Sequence, residues 1–236
     1  MLNRSILSAL RRLSAVYYRW VCRREFLRQE FRGFNERAVE YAYVFENLAE
    51  VCPRSVLDVG TGVTALPQLM RTCGSIVTAI DNIRDYWSDG MSNRHFYVLD
   101  ENILSPKLDK KFDLITCIST LEHISAHDTA VDAMFSLLAP GGRLILSFPY
   151  CEDEYVPNVY ALPGSIGEDA YPFRTQVYSR RQVDIWLARN NARIVRQEYW
   201  KFFSGRFWTL GERIVPPERT GVSQPHQISC LAIERR

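Results

Sequence analysis

The chain alternates between two hydrophobic periods. From residue 5 to 32, Ile6, Leu10, Leu13, Tyr17, Trp20, Leu27 and Phe31 recur at spacings of three, four or seven, which predicts a helix. Residues 35–51 predict a second one, with Val39, Tyr43, Phe45 and Leu48 among its apolar positions. The pattern then shortens. Apolar runs at 55–59, 76–80, 95–99, 112–118 and 143–148 read as strands. Helical segments are expected between them at 64–72, with Pro67 in the first turn, and at 126–138. Pro140, Gly141 and Gly142 form a turn. Strands alternating with helices, and apolar almost throughout, predict an α/β fold with a doubly wound, mostly parallel sheet covered on both faces.

Beyond Tyr150 the regularity lapses. Residues 151–177 hold Pro157, Pro163, Gly164, Gly167 and Pro172, which predicts a lid-like insertion. A helix is expected over 179–190, capped by Ser179, then a strand over 192–203. Residues 204–225 read as a second insertion and 227–234 as a closing strand. This brings the expected strands to seven. We divide the chain into an N-terminal helical extension, 1–50, and a main domain, 51–236, whose two insertions are expected to cover its functional site.

Composition narrows the function classes. The 236 residues are 47% hydrophobic and 24% charged, an ordinary globular balance with ample core. A net charge of +2 is too mild to imply nucleic acid. The six cysteines include no CxxC pair and the four histidines show no ligand spacing, so no metal is expected. The cysteines read as reduced thiols of a cytoplasmic protein. No run of 18 uncharged apolar residues is present. Residues 1–24 carry several arginines and no Asp or Glu. That pattern suits a helix packing on its own domain or a partner, a peripheral membrane contact through residues 5–32, or a targeting peptide.

The candidate chemistry starts at Asp58, Val59, Gly60, Thr61 and Gly62. Read as GxGxxA, Gly60 to Ala65 fits a dinucleotide fingerprint, with Asp81 placed to hold a ribose. Asp58 argues against a pyrophosphate there, because a carboxylate would repel it. An ammonium and a sulfonium would suit that acid better.

The downstream segments form an ordered set with this loop: Ala79-Ile80-Asp81, Val98-Leu99-Asp100, Phe112 through Ile124 containing Leu121-Glu122-His123, and Leu137 through Ile145 containing Pro140-Gly141-Gly142. Over 54–150, about two-fifths of the chain, the sequence resembles class I S-adenosylmethionine-dependent methyltransferases. Thr64 stands where the loop often has a third glycine. The resemblance implies a Rossmann-like methyltransferase fold and S-adenosyl-L-methionine as cofactor. Gly60, Thr61 and Gly62 would approach it by backbone, and Asp58 would hold its ammonium through water. Asp81, with Asn82 beside it, would take both ribose hydroxyls, and Asp100 and Glu101 the adenine. Ile118 and Ser119 would line the methionine end. His123 is the candidate general base, with Glu122 orienting it or capping a helix; His127 is expected to face solvent and Asp113 to be structural.

The acceptor expected is an oxygen or nitrogen of a small molecule, with a sugar, a glycan end or a lipid-linked intermediate left open. Tyr150, Tyr155, Tyr160, Tyr171, Phe173 and Arg174 are candidate wall residues, and Arg174, Arg206 and Arg213 candidate anion holders. The alternatives are a protein or RNA methyltransferase and a non-catalytic binding protein of the same fold.

Overall fold

The computed structural model describes residues 4–31, 33–87, 89–165 and 173–235. It divides into two compact units, residues 1–35 and 36–236. The first contains helix α1, Arg4–Leu27, whose described side chains are exposed apart from half-buried Val21.

The second unit is built on one sheet. Its elements in order are α2 (Arg37–Val51), β1 (Ser55–Val59), α3 (Leu66–Thr72), β2 (Ile76–Asp81), α4 (Ile83–Tyr86), β3 (Val98–Asp100), β4 (Phe112–Ile118), α5 (His127–Leu137), β5 (Leu138–Pro149), α6 (Arg180–Arg189), β6 (Ala192–Phe203), β7 (Arg213–Thr220) and β8 (Ile228–Arg235). The strand order is β3-β2-β1-β4-β5-β8-β6-β7. Strands β1 to β5 run parallel; β8, β6 and β7 add antiparallel pairs at one side.

The apolar runs explain the layering. Successive strand residues face opposite sides. Leu57, Ile115, Leu144 and Leu146 therefore point to the core shared with Phe135 of α5 and Trp186 of α6. Val56, Leu114 and Ile145 point to the core shared with Val44 and Leu48 of α2 and Met70 of α3. Helix α6 starts at a capping box in which Ser179 and Gln182 satisfy one another's ends.

Four expectations change. Pro140, Gly141 and Gly142, expected as a turn, lie within β5 where its register with β4 shifts. The sheet has eight strands, because β7 lies inside the stretch read as an insertion at 204–225. Pro216 and Pro217 obscured it; a strand at the sheet edge tolerates prolines that a central one would not. The third strand covers 98–100 rather than 95–99. Helix α2 packs its buried side on the sheet, so the division between units falls after Asn35 rather than after residue 50.

Asp113 is structural, as expected: its carboxylate accepts from both the backbone N–H and the hydroxyl of Ser55, tying the start of β4 to β1.

Candidate active site

The site gathers at the carboxyl ends of β1, β2, β4 and β5, where open α/β sheets bind ligands. The turn after β1 places Gly60 at φ 73° and Gly62 at φ 54°. A Cβ on Gly60 would sit 2.0 Å from Thr120 Cγ2, so only glycine lets β1 and the segment after β4 close together.

Asp58 is buried, and both its oxygens are occupied. Thr61 Oγ1 donates to Oδ2 at 2.7 Å and Thr116 Oγ1 to Oδ1 at 2.7 Å. Burial pushes its pKa up to about 6 despite these bonds. Asp81 accepts from the Gly62 backbone N–H at 2.8 Å and from Trp87 Nε1 at 3.0 Å, so the second acid braces the loop of the first. Trp87 also lies across Gly62, with its ring 3.4 Å from where a Cβ would be. Asn82 precedes α4. Asp100 accepts from the N–H groups of Ile83 and Arg84 and pairs with the Arg84 guanidinium at 2.7 Å, which anchors the start of α4. Glu101 donates its backbone N–H to Asp81 O and accepts from Lys107 N.

Beyond β4 the chain turns sharply. Ser119 takes φ 44°, a conformation rare for a residue with a side chain. Its hydroxyl reaches Glu40 of α2 at 2.5 Å. Glu40 is fully buried; Ser147 Oγ donates to the same oxygen at 2.7 Å, and Arg37 holds the other at 2.9 Å. One carboxylate thus joins α2 to the ends of β4 and β5. Burial raises its pKa, and Arg37 opposes that rise.

A cavity of about 430 Å³ opens here, lined by Arg37, Ser119, Glu122, His123, Phe173 and Trp208 among others. Arg37 also borders a smaller hollow against Asp58, Gly60, Thr61 and Ile118, so the glycine loop and the cavity adjoin. His123 Nδ1 lies 2.7 Å from the Arg174 carbonyl oxygen. A carbonyl only accepts, so Nδ1 carries the proton and Nε2 is left with a free lone pair. Burial lowers the His123 pKa and keeps the ring neutral at pH 7. The Phe173 ring packs against it in a T-shaped arrangement, with ring centroids 4.8 Å apart. Glu122 beside it is buried, with Oε2 lacking any hydrogen-bond partner, and burial raises its pKa to about 8.

Both insertions reach the cavity. Tyr160, Phe173 and Thr175 come from the first, Trp208, Thr209 and Arg213 from the second. The two are joined by Ser165 and Thr209, whose hydroxyls lie 2.7 Å apart. Other expected wall residues lie elsewhere. Tyr150 is buried in the core, its hydroxyl bound to Glu152 and its ring stacked on His226. Tyr155 bonds Gln176 and stacks on Tyr178. Arg174 contributes its carbonyl to His123, and Arg206 pairs with Glu154. Gly167, Tyr171 and Pro172 lie outside the described residues. His127, expected in solvent, packs instead against Tyr178 and Trp186 at 5.1 and 5.7 Å, beside Asp128. Glu36, Arg37 and Glu40 were missed. Their signal was an Arg-x-x-Glu pair carried by a helix that otherwise buries apolar residues.

Solved structures share this architecture. Magnesium protoporphyrin IX methyltransferase from Synechocystis PCC 6803, with bound SAM, aligns over 100% of this chain and 99% of its own at TM-score 0.52 and 16% identity. The 1,6-didemethyltoxoflavin-N1-methyltransferase of Burkholderia thailandensis aligns over 100% and 91% at TM-score 0.56 and 14% identity. The fold is that of the class I S-adenosylmethionine-dependent methyltransferases. A methyltransferase domain profile matches residues 24–208, most of the sequence, and the chain belongs to that family. Among curated relatives, a ubiquinone biosynthesis O-methyltransferase of Psychrobacter arcticus is 33% identical over 103 residues, 40% of this chain and 40% of that protein. One from Pseudomonas putida is 24% identical over 143 residues, covering 58% and 60%. The chain thus matches between two-fifths and three-fifths of the length of these relatives.

Proposed function

We propose that this chain transfers the methyl group of S-adenosyl-L-methionine to an oxygen or nitrogen of a small molecule, with His123 as general base. The observation that carries this reading is the 430 Å³ cavity beside the glycine loop, in which a neutral histidine with an unprotonated Nε2 forms part of the wall.

The loop's chemistry fits the cofactor. Two acids, Asp58 and Asp81, meet at a glycine turn, an arrangement hostile to a pyrophosphate and suited to an ammonium and a sulfonium. In this reading Gly60, Thr61 and Gly62 cradle the cofactor backbone-first. Asp58 receives the ammonium through water, and Asp81 uses its remaining lone pairs for the ribose. Asn82, Asp100 and Glu101 flank the adenine while Asp100 anchors α4, and Ile118 and Ser119 line the methionine end. Arg37, which borders both hollows, is placed for a carboxylate. The bound cofactor would supply an electrophilic methyl carbon. For a hydroxyl acceptor, His123 Nε2 would take the proton as the oxygen bonds to the methyl carbon and the carbon–sulfur bond breaks, its electron pair going to sulfur to leave S-adenosylhomocysteine; the cavity walls would align acceptor and methyl while excluding water.

The ubiquinone relatives' name favours an oxygen acceptor, and that of the toxoflavin neighbour a nitrogen. The aromatic walls suit a ring, either the C–H face of a sugar or a planar aromatic acceptor.

Calorimetry tests the reading. Binding of S-adenosylmethionine is expected, weakened at least about tenfold in Asp81→Ala through loss of charge-assisted hydrogen bonds. Absence of binding at high micromolar cofactor would overturn the enzyme reading in favour of a non-catalytic member. Given binding, His123→Ala should cut turnover by about 10²-fold or more. Wild-type turnover should rise with pH through a value below that of an ordinary histidine and then stay level.

A further inference from the structure

Helix α1 is the one helix among the described residues of the first unit. From Ser5 to Leu27 its side chains are exposed, with Val21 alone half-buried, and Leu13 and Trp20 show 68% and 54% of their surface. At 3.6 residues per turn, Ile6, Leu10, Leu13, Tyr17 and Trp20 share one side, while Arg11, Arg12, Arg19 and Arg23 share the opposite one. Arg24 sits over the Trp20 ring at 4.8 Å, leaving the indole bracketed by a cation. No Asp or Glu occurs among residues 1–24.

We infer that α1 is a membrane-surface helix that lies in the headgroup region of an anionic bilayer. Two occupants could cover its apolar side, and charge decides between them. The four-and-three spacing from Ile6 to Trp20 would also suit a second copy of the helix. A second copy, however, brings the same six arginines, Arg4, Arg11, Arg12, Arg19, Arg23 and Arg24, against the helix's one acid, Glu25. Arg24 continues the spacing of 17 and 20, so a helix–helix seam would enclose its charge, whereas at a bilayer surface its long side chain reaches the headgroups. An anionic lipid surface supplies the missing charge, within reach of the long side chains of Arg12, Arg19 and Arg23 that border the Trp20 edge of the apolar side. Tyr17 and Trp20, apolar rings with polar edges, suit the boundary between headgroups and acyl chains. No described helix is long and apolar enough to cross a membrane, so the helix would lie flat. A catalytic unit held at such a surface meets acceptors dissolved in lipid.

The test is co-sedimentation of the full chain with phosphatidylcholine vesicles, with and without phosphatidylglycerol. Wild type should bind the anionic vesicles, less so as salt rises. Leu10→Glu with Leu13→Glu should abolish binding, and Arg11→Gln, Arg12→Gln and Arg19→Gln should each weaken it about fivefold. Thermal melts of the variants should match wild type, since these side chains lie outside the cores. No binding to anionic vesicles, or equal binding by the double variant, would overturn the inference. So would a lipid-independent dimer lost in the double variant, which would assign the apolar side to a second copy.

Discussion

The chain opens with two helices of similar pattern and opposite fate. Helix α2 buries Val39, Glu40, Tyr43, Val44, Asn47 and Leu48, whereas α1 buries no described side chain. Periodicity announces both equally. What separates them is the polar content of the packed side. Glu40 is met by two serines and an arginine, and Asn47 donates to Tyr43 O and accepts from Arg143. Such groups are stable in a core only where partners are waiting. The stripe of α1 offers no comparable anchor, and its other side carries arginines with exposed Tyr18 and Phe26 among them. A buried polar residue in an amphipathic helix thus marks the address of the helix more sharply than its leucines do.

The widest test of the comparison is a pair of tyrosine truncations. Tyr43→Ala in α2 removes a buried ring and its bond to Arg196 O, and should lower stability by about 4 kcal/mol in urea unfolding. Tyr17→Ala in α1 should stay within about 0.5 kcal/mol. Comparable losses would show that α1 is packed after all. Next in size, Glu40→Ala should cost about 3 kcal/mol, because Ser119, Ser147 and Arg37 lose their shared partner. Glu40→Gln, which keeps an acceptor, should cost less; an equal cost would mean that the charge rather than the hydrogen bonding matters.

The smallest effect sets Glu40 against Glu122, a buried carboxyl with one oxygen unpartnered. Its folded pKa, about 8, lies above the usual value near 4.3, so the folded state holds the extra proton between them. Stability should therefore be fullest below pH 4 and decline as pH climbs toward 8. Glu122→Gln should flatten that decline, gaining about 1 to 2 kcal/mol over wild type at pH 9 and little at pH 4. Parallel pH profiles would refute the buried-acid account.

The parallel half of the sheet was legible because strands covered on both faces leave unbroken apolar runs, and because the acids and glycines after β1 and β2 sit at fixed places in those runs. The cavity was less so. Arg37 and Glu40 reach it across 79 residues or more of sequence from Ser119 and the strand ends, and no local pattern encodes that distance. Trp208 and Phe203 reach it through a hairpin whose second strand is disguised by Pro216 and Pro217. His127 misled for a related reason: a helix-start histidine next to Asp128 looks solvated until α6 supplies Trp186.

The position of β8 bears on how the molecule is made. It lies between β5 and β6, yet follows both in sequence. Until it arrives, the hairpin of β6 and β7 has no edge to join, and β5 exposes one. During synthesis, β1 to β5 would wait with an open flank while about eighty further residues are added, a period in which strand edges invite mispairing. The same lag keeps Trp208 and Arg213 from the cavity, so the acceptor wall is completed only when β8 has threaded the gap.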